Sequence, residues 1–240
     1  IATIAQAGTP WPMVSRPTYV GGLGFGYRWD SEWREQIMQY MARDPIFRRH
    51  HHEVLSTRGA HASSENAVLA LPHDCVAGPS GSLAAQMPGD AWQKLANLRL
   101  LYGYMWTQPG KKHLFMGQEL GQWSAWSADR SLDWHLLDQP AHRGVLQWVA
   151  DLNRIYRSER ALYELDGQQP SDGLDWIEAH DAEHSVLCYL RRGRGGDDDT
   201  IVVLCNFTPI VRHGYRVGVP HGGTWYELLN SDAEVYGGSG

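Results

Sequence analysis

Three apolar, strand-like segments are each followed by polar residues that could take part in chemistry. These residues are Gln6, the neighbours His73 and Asp74, and Glu119. In folds built from parallel strands, the C-terminal ends of the strands gather at one face of the domain. A carboxylate at such a face can bind sugar hydroxyls and can stabilise an oxocarbenium-like centre. The spacing therefore indicates a carbohydrate site that draws on several strand ends.

The loop after Glu119 alternates indole rings with carboxylates. Its members are Trp123, Trp126, Asp129, Asp133 and Trp134. Indole rings stack on the apolar faces of sugar rings, so the loop is a predicted substrate-binding segment. A second interpretation stays open at this point: His73 and Asp74 could cap a turn, and the tryptophans could pack the end of the domain.

Strand and helix patterns alternate through the first two-thirds of the chain, and these elements must position the polar residues. Strands are predicted at residues 1–5, 67–71 and 113–116, and helices are predicted at residues 31–42, 91–106 and 144–157. Asp90 can cap the second helix, and Pro109 with Gly110 ends it. The alternation is typical of parallel strands covered by helices.

The pattern changes near residue 170. Five short β-type runs follow at intervals of roughly ten residues, at positions 176–179, 185–191, 200–206, 214–219 and 224–229. Turns rich in Gly, Asp and Pro separate them, which is typical of an antiparallel β-sandwich. We therefore predict an α/β domain at residues 1–168 and an all-β domain at residues 169–240. The first domain holds only three or four β/α units, whereas a closed eight-stranded barrel needs about 250 residues.

Composition excludes several other classes of protein. Hydrophobic residues make up 42% of the 240 residues and charged residues 20%, which argues against disorder. The formal net charge of −6 gives no general attraction to nucleic acid or to anionic membranes. No apolar run approaches the length of a membrane span, and no secretory signal is visible. Three scattered cysteines predict a reducing, cytoplasmic setting.

No cofactor or metal site is predicted. The three histidines at residues 50–52 have no cysteine or carboxylate cluster at ligand spacing. Cys75 lies beside Asp74, but no arrangement of His and Asn supports a nucleophilic role for its thiol. The glycine-rich run at residues 21–26 does not join a strand to a helix, so it is interpreted as a loop and not as a phosphate cradle.

Long sequence motifs resemble those of the bacterial glycogen (1,4-α-glucan) branching enzymes, which belong to the α-amylase superfamily. They are MPGDAWQKLANLRLLYGYMW at residues 87–106, PGKKHLFMGQE at 109–119, DRSLDWHLL at 129–137, NFTP at 206–209 and NSDAEVYGG at 230–238. The likeness extends over essentially the whole chain. It implies the second half of a (β/α)8 TIM-type barrel followed by a C-terminal antiparallel β-sandwich.

The resemblance also implies a reaction. The family cleaves an α-1,4 linkage in a glucan such as glycogen or amylose through a covalent glucosyl–enzyme intermediate. It then transfers the segment to a 6-hydroxyl, which creates an α-1,6 branch. Retaining transfer of this kind uses one carboxylate as nucleophile and a second as general acid and base. No cofactor is implied.

The family's site residues match this chain unevenly. Asp74 falls on the carboxylate that stabilises the transition state, and His73 falls on the histidine before it, which binds a sugar hydroxyl. Gln6 falls on the position of the acid/base glutamate, and the strand with the nucleophile would precede residue 1. Residues 75–79 also depart from the family pattern. Together with His73, the candidate substrate-binding residues are those already identified by type and position, namely Glu119, Trp123, Trp126, Asp129 and Trp134.

Two functional hypotheses follow. In the first, the chain is a partial branching enzyme that is inactive alone and whose partners are an α-glucan and a missing N-terminal half. In the second, it is a degenerate, non-catalytic glucan-binding relative or a truncated gene product. Gln6 bears on the choice, because a mere fragment of an active enzyme would keep glutamate there.

Overall fold

The computed structural model describes residues 1–6, 11–56, 65–168 and 173–240. Its first part is built on a parallel sheet with strands in chain order, namely β1 (Ile4–Ala5), β2 (Tyr27–Trp29), β3 (Ala67–Leu71) and β4 (Lys111–Leu114). All three strand pairs are parallel. The predicted α/β class is therefore confirmed for this part of the chain.

In the described part of the chain, six α-helices accompany the sheet. They are α1 (Ser31–Met41), α2 (Pro45–Arg48), α3 (Glu53–Ser56), α4 (Leu83–Gln86), α5 (Ala91–Thr107) and α6 (Pro140–Ser158). Asp90 caps α5 by accepting a hydrogen bond from the backbone N–H of Gln93. In return, the side chain of Gln93 accepts a hydrogen bond from the backbone N–H of Asp90. The three long helices predicted from apolar periodicity are confirmed within a few residues at each end.

Helix α5 forms the centre of the hydrophobic core. Leu98, Leu101, Tyr102 and Met105 on this helix are completely buried. Trp148 of α6 packs alongside and donates its indole N–H to the carbonyl of Arg99 at 2.9 Å. The core is continuous with buried residues of the second part of the chain, so α5 holds the two parts together.

The second part is an antiparallel sheet of β5 (Leu174–Asp181), β6 (Val186–Arg192) and β7 (Thr200–Asn206). Three of the five predicted strands are thereby confirmed. The strands predicted at residues 214–219 and 224–229 are wrong, because these residues have irregular backbone in the structure. Gly214 adopts φ = 66°, a left-handed conformation that does not continue a strand.

The sheet of the first part also differs in detail from the prediction. Strand β2 was not predicted, because it has only three residues and Arg28 at its centre. Strand β4 begins two residues earlier than predicted, at Lys111. The predicted domain boundary adjoins residues 169–172, which lie outside the described residues, so the division at residue 168 stays a prediction.

The final segment of the chain packs onto helices α5 and α6. Arg99 Nε donates to the carbonyl of Ser231 at 2.8 Å, and Tyr236 lies edge-on to Trp148 with ring centroids 4.9 Å apart. A Cβ added at Gly144 would lie 2.3 Å from the Tyr236 carbonyl oxygen, so only glycine permits this approach. Within the described residues, no helix combines the length and apolar character needed to cross a membrane.

Candidate functional site

The turn after β3 carries an exposed histidine–carboxylate pair. His73 and Asp74 lie in the 3₁₀ turn His73–Cys75, and Pro72 separates this turn from the strand. Nδ1 of His73 lies 2.8 Å from Oδ1 of Asp74, and the side chains are 56% and 48% exposed. A proton shared along this contact leaves Nε2 of the imidazole and the second carboxylate oxygen open to a ligand.

Two aromatic rings surround the imidazole. Phe115, just after β4, lies with its ring centroid 5.8 Å from that of His73, and Trp126 lies 6.4 Å from His73 in an edge-on arrangement. Phe115 and Trp126 contact each other at 5.0 Å, also edge-on. We call His73, Asp74, Phe115 and Trp126 the His73 cluster. It combines a carboxylate and an imidazole, which can hydrogen-bond hydroxyl groups, with aromatic surface that can contact apolar ring faces.

A buried glutamine connects the ends of β3 and β4. Gln118 Nε2 donates to the carbonyl of Leu71 at 3.0 Å, and the backbone carbonyl of Gln118 accepts from the hydroxyl of Tyr102 at 2.8 Å. Burial, together with the nearby charge of Glu119, raises the pKa of Tyr102 well above its ordinary value, so the hydroxyl keeps its proton. The turn after β4 is thereby held against the strand that carries His73.

The loop after Asp74 is held by side-chain amide and hydroxyl groups. Gln86 Nε2 donates to the carbonyl of Cys75 at 2.7 Å, and Ser82 Oγ donates to the carbonyl of Trp123 at 3.1 Å. The backbone N–H of Trp126 donates to the carbonyl of Val76 at 2.9 Å. Burial raises the pKa of the Cys75 thiol, which keeps it neutral. The Ser82 and Trp126 bonds therefore join the loop after β3 to the loop after β4.

The other predicted substrate-binding residues take different positions. Glu119 is half-buried in the 3₁₀ turn Gln118–Leu120. Trp123 packs edge-on against the buried His142 at 5.4 Å. Asp129 is exposed, and Trp134 is 54% exposed at the start of the turn Trp134–Asp138. Of the predicted tryptophans, Trp126 alone has a ring contact with His73 within the described ranges, so the packing interpretation fits Trp123 better.

Gln6 lies apart from the His73 cluster. It is exposed and follows β1, which is separated from β3 by β2. Ala5 pairs with Arg28, and Arg28 pairs with Ala67 at the beginning of β3. The last residue of β3 lies four positions further on, about 13 Å along the strand direction at about 3.3 Å per residue. Gln6 and His73 each follow the C-terminal end of a strand, but the register of the sheet places them at different positions along the strand direction.

Sequence reasoning missed Phe115 and Gln118 as parts of the site. Phe115 was assigned to the interior of a strand at residues 113–116, whereas β4 ends at Leu114. A strand that begins at the two lysines would have placed Phe115 at the strand end. Gln118 carried no sequence signal beyond its position next to Glu119.

Metal ligands do not assemble near the site. In the ranges that the structure describes, no group of three or more His, Cys, Asp or Glu residues is arranged to hold a metal ion. The histidines at residues 50–52 point to different environments, since His50 is exposed and His52 is 2% exposed.

Comparison with known proteins gives a family match for the second part of the chain. Residues 176–240 match the family model described as "Alpha amylase, C-terminal all-beta domain". The solved structure of pullulanase from Bacillus acidopullulyticus has a similar fold, with a TM-score of 0.53 at 14% identity. The match covers 76% of this chain and 24% of the pullulanase. At this identity the likeness concerns the fold alone.

Curated relatives match the whole chain. The 1,4-alpha-glucan branching enzyme GlgB of Aquifex aeolicus is 54% identical over 240 residues, which cover 100% of this chain and 38% of the relative. The enzyme of the same name from Aromatoleum aromaticum is 51% identical, and the match covers 37% of its length. That of Rhodopirellula baltica is 54% identical over 239 residues and is covered to 32%. The chain thus spans about a third of the length of these relatives.

Proposed function

We propose that this chain, a member of the 1,4-α-glucan branching enzyme family within the α-amylase superfamily, binds α-1,4-glucan at the His73 cluster and does not transfer glucan segments by itself. The observation that carries the proposal is the exposed His73–Asp74 pair at the end of β3, packed against Trp126. The relatives' names specify a 1,4-alpha-glucan as substrate.

The site residues have distinct roles in this proposal. Nε2 of His73 binds a sugar hydroxyl, and the free carboxylate oxygen of Asp74 accepts a second hydroxyl from the same ring. Trp126 and the exposed Trp134 offer ring faces to neighbouring glucose units. In the proposal, the half-buried Glu119 and the exposed Asp129 are further hydroxyl-binding carboxylates. A cytoplasmic setting fits three free cysteines, Cys75, Cys188 and Cys205.

The chemistry of transfer needs a carboxylate that acts as general acid and base. Gln6 stands at the acid/base position, and an amide neither donates nor accepts the proton in that step. Loss of general acid catalysis costs about 10²–10⁴-fold in rate. Asp74 supports the transition state but does not replace the nucleophile, because retaining transfer uses a separate carboxylate for attack.

A second β/α portion is the proposed partner that completes the barrel. Within the described residues, β1 pairs with β2 and β4 pairs with β3, so each outer strand has one free edge. Large apolar side chains are exposed near β1, at Ile1, Ile4, Trp11, Met13, Tyr19, Val20, Leu23 and Phe25. Exposed apolar surface of this extent marks a surface that is covered in the assembled protein. The proposed partner strand runs parallel to β1 and carries the nucleophile.

The test measures branching and binding separately. The purified chain is incubated with amylose, and α-1,6 linkages are counted by NMR, with the Aquifex aeolicus enzyme as positive control. We expect no new α-1,6 linkages from the wild-type chain, because the amide of Gln6 cannot act as the general acid and base. Affinity electrophoresis in amylose gels should nevertheless retard the chain. Branching near the rate of the control would refute the inactivity, and unretarded migration would refute the binding site.

The second candidate is a degenerate relative that binds glucan without any catalytic role. Gln6 and the altered loop after Asp74 favour it. A hybrid decides between the two, with this chain replacing the matching 240 residues of the Aquifex aeolicus enzyme. If Gln6→Glu makes the hybrid active, the remaining site is competent and the chain is a partial enzyme. If the hybrid with Gln6→Glu folds but stays inactive, other residues of the site are also unfit for catalysis, and the chain is a degenerate relative.

A further inference from the structure

A small cavity lies in the seam between the loop after β3 and the turn after β4. Its lining comes from both loops and from α5, through Val76, Ser82, Leu83, Ala84, Leu98, Met116, Gln118, Gly121 and Gln122. All of these residues are uncharged. The space holds about one water molecule.

Two buried amide oxygens belong to residues of this lining. Gln118 and Gln122 are 4% and 6% exposed, and Oε1 of each has no hydrogen-bond partner. Their amide nitrogens are both engaged, since Gln118 Nε2 donates to the Leu71 carbonyl at 3.0 Å and Gln122 Nε2 donates to the Ser124 carbonyl at 3.2 Å. Turning either amide over would set its oxygen against a carbonyl oxygen. The acceptor positions of both side chains are therefore fixed.

The protein has no hydroxyl donor left for these oxygens in the cavity wall. Ser82 supplies the hydroxyl in the lining, and its proton goes to the Trp123 carbonyl at 3.1 Å, while its oxygen accepts from the backbone N–H of Ala85. Buried carbonyl oxygens without a donor are costly, and internal water is the usual remedy where two polar groups line a small cavity. A water molecule is neutral and can donate two hydrogen bonds, one to each of the two neutral amide oxygens.

We infer that this cavity is the binding site of one internal water molecule, which donates its two protons to Oε1 of Gln118 and Oε1 of Gln122. A monovalent cation would share the preference for carbonyl oxygens, but the uncharged lining does not offset the cost of removing a charge from water. Both amides belong to the segment after β4, so the water closes a bridge within this segment. It thereby fixes the side chain of Gln118, whose amide nitrogen holds the Leu71 carbonyl at the end of β3.

Crystallography of the purified chain tests the inference directly. We expect electron density for a single oxygen at about 2.7–3.2 Å from both amide oxygens. A second crystal soaked in rubidium chloride distinguishes water from a cation, since rubidium gives an anomalous peak. Density that contacts neither oxygen, a protein donor on either oxygen, or a rubidium peak in the cavity would each overturn the inference.

Solution NMR provides a readout that does not depend on crystals. Water-selective transfer spectra of the ¹⁵N-labelled chain should show a long-lived water contact to the side-chain amide protons of Gln118 and Gln122. The contact should disappear in Gln122→Met, which keeps the side-chain length but removes the acceptor. Gln147→Met on the exposed face of α6 is the matched control and should keep it. Persistence of the contact in folded Gln122→Met would contradict a water bridge between the two amides.

Discussion

The guanidinium of Arg48 donates from Nη1 to the backbone carbonyl of Phe207 at 2.8 Å, and this bond joins the end of α2 to the residue after β7. Nη2 donates to the Met41 carbonyl and to Oδ1 of Asn97, both at 2.8 Å. The side chain is 1% exposed. Burial lowers the pKa of Arg48 to about 10, which leaves the group charged at neutral pH. One cation, held by neutral acceptors, therefore connects α1, α5 and the residue after β7.

Removing this cation should destabilise the whole chain. Arg48→Met leaves the Phe207 and Met41 carbonyls and the Asn97 amide oxygen without their donor, at about 1–3 kcal/mol for each buried group that stays unpaired. We expect a total loss of about 3–5 kcal/mol and a fall in Tm of about 6 °C or more, measured by calorimetry. Arg49→Met, at the exposed neighbouring arginine, is the control and should change Tm by less than about 2 °C. Equal effects of the two substitutions would contradict the role of Arg48.

Glucan binding should depend on the His73 cluster. His73→Ala and Trp126→Leu should each weaken binding of maltoheptaose about 5- to 30-fold, equivalent to about 1–2 kcal/mol, because each removes a hydroxyl or ring contact. Isothermal titration calorimetry measures the change in Kd. Trp92→Leu is the matched control, since Trp92 is 47% exposed and bonds the Gly237 carbonyl away from the cluster. The assignment fails if Trp92→Leu weakens binding as much as Trp126→Leu.

Acid should destabilise the chain through His52. Burial lowers the pKa of this imidazole, although Asp181, Glu178 and Glu53 act in the opposite direction and His180 adds to the decrease. Neither ring nitrogen of His52 has a hydrogen-bond partner among the residues that the structure describes. Below about pH 6.5 the unfolded chain binds a proton that the folded chain does not, so folding stability falls as pH falls.

Urea unfolding at pH 7.5 and 5.5 measures this contribution. His52 accounts for up to about 1.4 kcal/mol of the loss between these values, and His52→Leu should remove that part of the slope. His50→Leu, at an exposed histidine two residues earlier, should leave the slope unchanged. An identical pH dependence of wild type and His52→Leu would show that the imidazole titrates freely in the folded state.

Glu65 should anchor the loop after β1. The backbone N–H groups of Val14 and Ser15 donate to its two carboxylate oxygens, each at 2.8 Å, and the Ser15 hydroxyl donates to it as well. Glu65→Gln would place an amide N–H₂ against one of these donors and should cost about 1–3 kcal/mol. Hydrogen exchange of residues 13–25 reports the loosening. Glu35→Gln on the exposed face of α1 serves as control and should not change it.

Packing of the final segment should require glycine at position 144. The added Cβ in Gly144→Ala would lie 2.3 Å from the Tyr236 carbonyl oxygen, so the segment must shift or α6 must bend. We expect a loss of about 1–3 kcal/mol in chemical denaturation. Gly222→Ala, where a Cβ meets no atom within 4 Å, should be close to neutral. A neutral Gly144→Ala would mean that the segment is free to move away.

Local patterns were sufficient to predict the long helices and the three strands of the second sheet. The Asp90 cap directly precedes the 17-residue helix α5 and its apolar stripe, so no distant partner is needed to recognise them. Strand β2 escaped prediction because three residues around a buried arginine gain their stability from β1 and β3, which are far away in sequence. Parallel pairing of this kind leaves little local signal.

The candidate site shows the same division. His73 and Asp74 could be predicted as site residues because the end of β3, which they follow, is recognisable from the local sequence. Phe115 was missed because β4 was predicted two residues too late along the chain. This placed Phe115 inside the strand, whereas it lies just after the strand's end. Bonds such as those of Gln118 to Leu71 depend on how two loops meet, and no spacing in the sequence encodes that meeting.

The long-range bonds of the last segment have a consequence for synthesis. Arg99 is joined to Ser231 across 132 residues. At about 5–20 residues per second, a ribosome needs about 7–26 s to pass from one to the other. Until the segment around Tyr236 is made, the surface of α5 lacks this cover, and so does the surface of α6 once residue 158 has been made. The speed of translation between residues 99 and 236 therefore governs how long this apolar surface stays open to aggregation.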